Sequence, residues 1–219
     1  MSEPIHERQV ISYLQLRKGV GILGTSLPFL LLLGSLVFKI CIQDSISDYY
    51  YTSMREVFVG VLWAVGIFLF SYTGPQRIDN RLGNVTGAFA IGVSLFPTDD
   101  PRKILGPLDV GGLHLLFAGS FFILLAVFCL VLFVRSAEGQ KPTPEKLRRN
   151  RIYRICGWTI VACVAVLILL FTTKFISEAE QERLNTTFWI EAVGLWAFGF
   201  SWLVKGGALF KDVQASLNS

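Results

Sequence analysis

Long apolar runs separated by short polar connections dominate this chain, and their lengths set the first expectation. A helix needs about 20 mainly apolar residues to cross a hydrocarbon core of roughly 30 Å. Residues 20–41 meet that length, interrupted only by Pro28 and by Lys39 near the end. Residues 57–72 form a second run, which reaches full length if residues 53–56 open the helix. Residues 111–134 are rich in Phe and Leu, and 155–173 and 188–204 add two more runs. The stretch 85–96 is short and carries Thr86, Gly87, Gly92 and Ser94, so it spans only if its helix begins near Leu82 or earlier. Gly83, Gly87 and Gly92, with Ala88 and Ala90, allow close approach of neighbouring helices. That predicts a place for this segment in the middle of the bundle.

Charge decides whether the short run is counted. With six spans and the N-terminus inside, inner segments hold fourteen of the 20 basic residues, and outer segments hold ten of the 16 acidic ones. Cytoplasmic loops are enriched in Lys and Arg. Deleting the short run would move the Arg-rich loop 135–154 outside. The expected fold is therefore all-α, a polytopic transmembrane bundle of six spans with cytoplasmic N- and C-termini. Residues 1–19 form the N-terminal cytoplasmic or interfacial segment, 20–205 the membrane domain and 206–219 a cytoplasmic tail. The 219 residues are 53% hydrophobic and 16% charged, with mean hydropathy +0.54, against about 25% charged in soluble chains. Disorder, collagen, coiled coil and a disulfide-stapled module are excluded, and a net charge of +4 is too mild to point to nucleic acid.

The run 20–41 follows Arg17 and Lys18, as a signal peptide would. It exceeds the usual core of about 7–15 residues and no A-x-A-like site follows, so it reads as a retained helix. Val10, Tyr13, Leu14 and Arg17 share helical spacing, which predicts either a short interfacial helix or a frayed tail over residues 1–18. Thr143, Pro144 and Glu145 read as a helix start. Beyond it, Arg148, Arg149 and Arg151 are candidates to contact anionic lipid headgroups, beside the plainer role of setting topology. Cys41, Cys129, Cys156 and Cys163 read as buried small hydrophobes. Trp158 and Trp202 at the inner boundary and Trp189 at the outer one fit interfacial anchoring, whereas Trp63 and Trp196 read as packing residues.

The unusual chemistry lies on the outer side. One outer loop reads QDSISDYYYTSMREVFVG, and FPTDDPRK follows the third run. His114 sits in the first turns of the fourth span and Glu191 one turn inside the sixth. Ionisable groups within spans are rare and are functional candidates by default. The second, fourth and sixth helices all begin at the outer surface, where their N-termini carry partial positive charge. Asp48, Tyr50, Arg55, Glu56, Asp99, His114 and Glu191 are thus the candidate ligand-binding residues. Arg55 and the helix dipoles would attract an anionic or zwitterionic headgroup. The aspartates would pair with Arg55, Lys39 or Arg102, or select a cation instead. The plainer alternative is interfacial architecture, with Tyr49, Tyr50 and Tyr51 as an aromatic belt and the acids at helix starts answering the dipole.

Two catalytic arrangements have the right inventory. Ser45 or Ser47 can serve as nucleophile with His114 as base and an aspartate behind it. His114 with Asp48, Asp99, Asp100 or Glu191 can be imagined around zinc, although a zinc site usually needs about three protein ligands and the chain has two histidines. No cofactor and no metal are expected. Membrane lipids are the expected partners, with a homo-oligomer as an open option. The main expectation is a binding protein for a lipid headgroup or small ligand. A hydrolase or transferase acting on outer-leaflet lipid and a transporter or oligomeric channel are the alternatives.

As a set, SISDYYYT, M-R-E-x-FVG, FPT, HLLFAGSFF, RNRIYRICG and FGFSWLVKG resemble a group of bacterial six-pass membrane proteins known only as a domain of unknown function. The resemblance runs from about Cys41 to Gly206. In layout the chain is also similar to the DRAM-like six-pass proteins, which are tied to membrane-lipid and lysosomal biology in eukaryotes. Membrane-embedded zinc hydrolases such as the alkaline ceramidases carry several intramembrane histidines that are missing here. The resemblance implies a bacterial inner-membrane location and supplies no established activity.

Overall fold

A computed structural model describes residues 5–98, 103–105, 108–136, 142–173 and 176–208. The long helices are α1 (Ile5–Phe38), α2 (Arg55–Phe70), α3 (Arg77–Leu95), α4 (Val110–Val127), α5 (Pro144–Thr173) and α7 (Thr186–Lys205). A short helix, α6 (Glu178–Leu184), precedes α7, and a small antiparallel hairpin of β1 (Lys103–Leu105) and β2 (Leu108–Asp109) leads into α4. The chain is thus a helical bundle. Four helical stretches are long and apolar enough to cross a membrane: Tyr13–Phe38, Val110–Leu132, Pro144–Thr173 and Thr186–Lys205. The second of these includes a π-helical turn, Phe128–Leu132, that prolongs α4. At 1.5 Å per residue, α2 with 16 residues and α3 with 19 reach about 24 and 28 Å. The α3 helix starts five residues before Leu82, so its polar beginning, RIDNR, is helical too.

Each long helix packs against its neighbours in the chain, and α7 returns to α1, which closes the ring α1–α2–α3–α4–α5–α7. The expectation that the glycine-rich segment lies in the middle is corrected: α3 is one wall, between α2 and α4. Its glycines serve that wall. A Cβ on Gly87 would lie 2.7 Å from the Gly66 carbonyl oxygen of α2, and the space at Gly92 is filled by the Phe117 ring of α4. Toward one end the interior of the ring is filled with aromatic side chains instead. Tyr72, Phe128 and Phe133 surround Trp202 with ring centroids 5.2–5.4 Å from the indole. Trp202 is therefore a core residue and not the interfacial anchor its position in the sequence suggested, while Trp158 and Trp189 are exposed. Trp196 stacks on Phe29 as a packing residue, and Trp63 is exposed.

The N-terminal segment forms no separate interfacial helix: α1 runs unbroken from Ile5 to Phe38 through Pro28. Arg17 is accommodated because its guanidinium donates to the Tyr13 hydroxyl (2.6 Å) and lies over the Tyr13 ring, with Tyr72 beyond. Cys129, Cys156 and Cys163 are buried as expected, but Cys41 lies beyond the end of α1 and is exposed.

The two ends of the ring differ in charge. One end gathers Arg17, Arg135, Lys146, Arg149 and Lys205, and its hydrogen bonds finish the helices there. The Thr143 hydroxyl accepts from the Lys146 N–H (3.1 Å), which opens α5 as its sequence predicts. Lys146 Nζ and Asn150 Nδ2 donate to the last carbonyls of the α4 extension, those of Phe133 (2.8 Å) and Val134 (3.2 Å). These carbonyls have no partner within their own helix, so α5 supplies one. Asp79 closes a capping box with Gln76 at the start of α3 and pairs with Arg135 at 3.3 Å. The opposite end carries Asp44, Asp48, Asp109 and Glu191.

Candidate functional site

The acidic end is built around the connection between α1 and α2. Lys39, in the left-handed region at φ 55°, ends α1, and a 3-10 turn follows at Ser47–Tyr51. Tyr49 anchors that turn. Its ring is fully buried and tilted against Phe188, and its hydroxyl shares a 2.6 Å hydrogen bond with Ser35 of α1. The start of α7 clamps the same connection. The Phe188 N–H donates to the Asp44 carbonyl (2.7 Å), and Asn185, at φ 48°, donates to the Ile42 carbonyl (2.9 Å). Glu191 accepts from the Ile46 N–H at 2.8 Å. A hydrogen bond within a protein contributes about 0.5–1.5 kcal/mol net, and this contact ties α7 to the turn.

Asp48 organises the next layer. One carboxylate oxygen accepts from the Ser45 N–H (3.0 Å) and the other from the Thr98 hydroxyl (2.9 Å), while the Asp48 N–H donates to Ser45 Oγ (3.1 Å). Thr98 follows α3, so Asp48 ties two connections distant in sequence. Asp109 caps α4 by accepting from the Gly112 N–H (2.7 Å). Gly111 is required there, because a side chain would run into the Thr98 carbonyl. His114 is buried, with Nδ1 at 2.6 Å from the Phe96 carbonyl oxygen. A carbonyl only accepts, so Nδ1 carries the proton and donates.

These groups surround a cavity of about 870 Å³. Its mouth is polar: Asp44, Ser45, Ser47, Asp48, Asp109, His114, Glu182 and Glu191 line it. Its floor is an apolar trough between α4 and α5, with Ala118, Gly119 and Phe122 on one wall and Val164, Ile168 and Phe171 on the other. No lysine or arginine is among the described lining residues. Burial and the neighbouring Asp48 charge raise the Asp44 carboxyl above its ordinary 3.8, against a lowering by the Asn185 amide.

Asp48, His114 and Glu191 thus come together at one cavity, and the other sequence candidates stand apart from it. Arg55 is exposed, donates to the Tyr50 hydroxyl (2.6 Å) and lies over that ring at 4.2 Å. Neither Arg55 nor the half-buried Tyr50 lines the cavity. The expected attractor of an anionic headgroup is therefore turned to another use. Glu56 is exposed in the first turn of α2, away from the lining. Of the three tyrosines only Tyr51 is exposed in the manner of an aromatic belt. Asp99, Asp100 and Arg102 lie outside the described residues.

At the basic end Arg148 and Arg151 are exposed and Arg149 is half-buried. Arg151 borders an open cleft along α5 together with Arg154 and Trp158. Neither Ser45 nor Ser47 hydrogen-bonds His114: the Ser45 hydroxyl is engaged by Asp48. Among the described residues no three His, Cys, Asp or Glu side chains are grouped to hold a metal ion.

Sequence reasoning missed Asn185, the Tyr49–Ser35 pair and the trough. The trough had a readable signal, since His114, Ala118 and Phe122 recur every four residues and so share one helix face. Comparisons with protein-family models, with curated proteins and with solved structures find no match for this chain.

Proposed function

We propose that this chain is a six-span protein of the bacterial inner membrane, with both termini in the cytoplasm, and that its extracytoplasmic cavity binds a membrane lipid. In this reading α2 and α3 complete the crossing begun by the four more apolar helices, because each stands in the same closed ring. The orientation is supported by the bias in charge, with Arg17, Arg135, Lys146, Arg149 and Lys205 at the end assigned to the cytoplasm. The bacterial location follows the resemblance of the SISDYYYT and HLLFAGSFF stretches.

The observation that carries the binding function is the shape of the cavity: a polar mouth continues into an apolar trough between α4 and α5, two helices long and apolar enough to cross a membrane. A headgroup fits the first part and an acyl chain the second. Binding is favoured over acyl transfer because the serines at the mouth are not hydrogen-bonded to His114, as a base-activated nucleophile requires. It is favoured over transport because Trp202 and its aromatic neighbours fill the ring toward the basic end.

Gly119 supplies the test. It lines the trough, and a Cβ there meets nothing within 4 Å. Gly119→Leu should fill the trough without a clash. Native mass spectrometry of protein extracted directly from membranes should find lipid retained by the wild type and lost from the variant, with similar melting temperatures. Equal lipid occupancy in the two proteins refutes the proposal.

A further inference from the structure

We infer that the mouth of this cavity recognises an ammonium group, so that the bound lipid carries an amine in its headgroup; the inference rests on reading the cavity as a lipid site. Charge is the first argument. Asp44, Asp48, Glu182 and Glu191 all line the mouth. The hydrogen bonds that Asp44, Asp48 and Glu191 accept come from neutral donors: the Asn185 amide, the Ser45 and Ile46 N–H groups and the Thr98 hydroxyl. Among the described residues none of these four acids is in an ion pair. Asp44 and Glu182 are exposed, but Asp48 and Glu191 are half-buried beside the apolar trough, where negative charge is screened poorly and a counter-charge is favoured.

A second observation is independent of the acids. Ser47 is only 6% exposed and lines the same cavity, and among the described residues its hydroxyl has no hydrogen-bond partner. A hydroxyl with no protein partner that opens onto a cavity offers a hydrogen bond to whatever polar group enters there. An ammonium has three donors to share between this hydroxyl and the carboxylates.

The groups that would hold a phosphate at this mouth are already engaged. The Gly112 N–H at the start of α4 is taken by Asp109, and the Phe188 N–H at the start of α7 by the Asp44 carbonyl. Arg55 lies on Tyr50. A headgroup bearing both charges would therefore place its ammonium inward and its phosphate toward water.

The test uses three probes with one chain length and different heads: dodecylamine, dodecanol and dodecanoate. Each is titrated below its micelle concentration into the full-length protein in phosphatidylcholine nanodiscs, with empty discs subtracted. Dodecylamine should bind about tenfold or more tightly than either of the others, the scale of one charge-assisted hydrogen bond. Gly119→Leu should abolish that binding, and the double variant Asp48→Asn with Glu191→Gln should bring dodecylamine down to the affinity of dodecanol. Equal binding of the amine and the alcohol, sensitive to Gly119→Leu, overturns the ammonium inference and leaves the lipid site standing. Preference for dodecanoate overturns it likewise. Absence of any probe binding sensitive to Gly119→Leu removes the lipid site itself. The comparison of heads on the wild-type protein keeps the test decisive should the double variant fold poorly.

Discussion

A methyl group added at Gly87 tests the contact that holds α2 and α3 together. In Gly87→Ala the new Cβ would sit 2.7 Å from the Gly66 carbonyl oxygen and 3.4 Å from the Leu69 Cβ. A backbone oxygen cannot rotate away, so the helices must separate until the contact reaches the usual C···O spacing of about 3.3–3.6 Å. Overpacking of this kind costs about 1–3 kcal/mol. Replacing glycine by alanine within a helix returns about 0.8–1.0 kcal/mol, an allowance measured in water. The net expectation for Gly87→Ala is a loss of roughly 0–2 kcal/mol. Gly60→Ala, in α2, is the matched control, because a Cβ there meets nothing within 4 Å. It should gain up to about 1 kcal/mol. Equilibrium unfolding in mixed micelles of dodecyl maltoside and sodium dodecyl sulfate, followed by circular dichroism, reads the difference. Gly87→Ala should unfold at a lower mole fraction of dodecyl sulfate than Gly60→Ala. Equal stability of the two variants would refute a backbone-to-backbone crossing at Gly66 and Gly87.

Two further predictions concern orientation and charge. Cys41 is the one exposed thiol among the four cysteines, so a membrane-impermeant maleimide applied outside intact cells should label the protein once and fail on Cys41→Ser. Labelling only after the membrane is breached would reverse the assigned topology. The raised Asp44 pKa makes the folded protein hold this proton more tightly than the unfolded chain does. The charged carboxylate therefore costs stability above the folded pKa, and the cost disappears as pH falls to the unfolded value. Asp44→Asn should melt higher than the wild type at pH 7 and approach it as the solution is acidified through the carboxylate range. A variant that melts lower at pH 7 contradicts that sign.

Where residues change from apolar to polar along the chain, the sequence carries the structure well. The start of α5 at Thr143–Pro144, the early start of α3 and the separation of acids from bases all follow from such changes. The convergence of Asp48, His114 and Glu191 also follows, because each sits near the start of an element at the acidic end of the bundle. Rotation about each helix axis is much less legible. In a membrane the solvent is as apolar as the protein core, so a residue facing lipid and one facing the bundle look alike in sequence. Trp202 and Trp158 illustrate this: both lie near the basic end, yet one is buried among four rings and the other faces outward. The same ambiguity hid the burial of Tyr49 between two exposed-looking neighbours. Arg55 was misread for a different reason, since its spacing from Tyr50 across the end of the 3-10 turn brings the two side chains together only once that turn is folded.

The seam between the first and last spans has a consequence for biosynthesis. Gly21 of α1 and Gly199 of α7 lie so close that a Cβ on either would be within 2.8 Å of the other's carbonyl oxygen. While the ribosome is still translating α7, the α1 side of that seam has only lipid to cover it, and Glu191 has not yet reached its place beside the turn. A polypeptide cut short before residue 186 would therefore present an open, grooved edge within the bilayer, a ready mark by which a membrane protease could tell unfinished copies from finished ones.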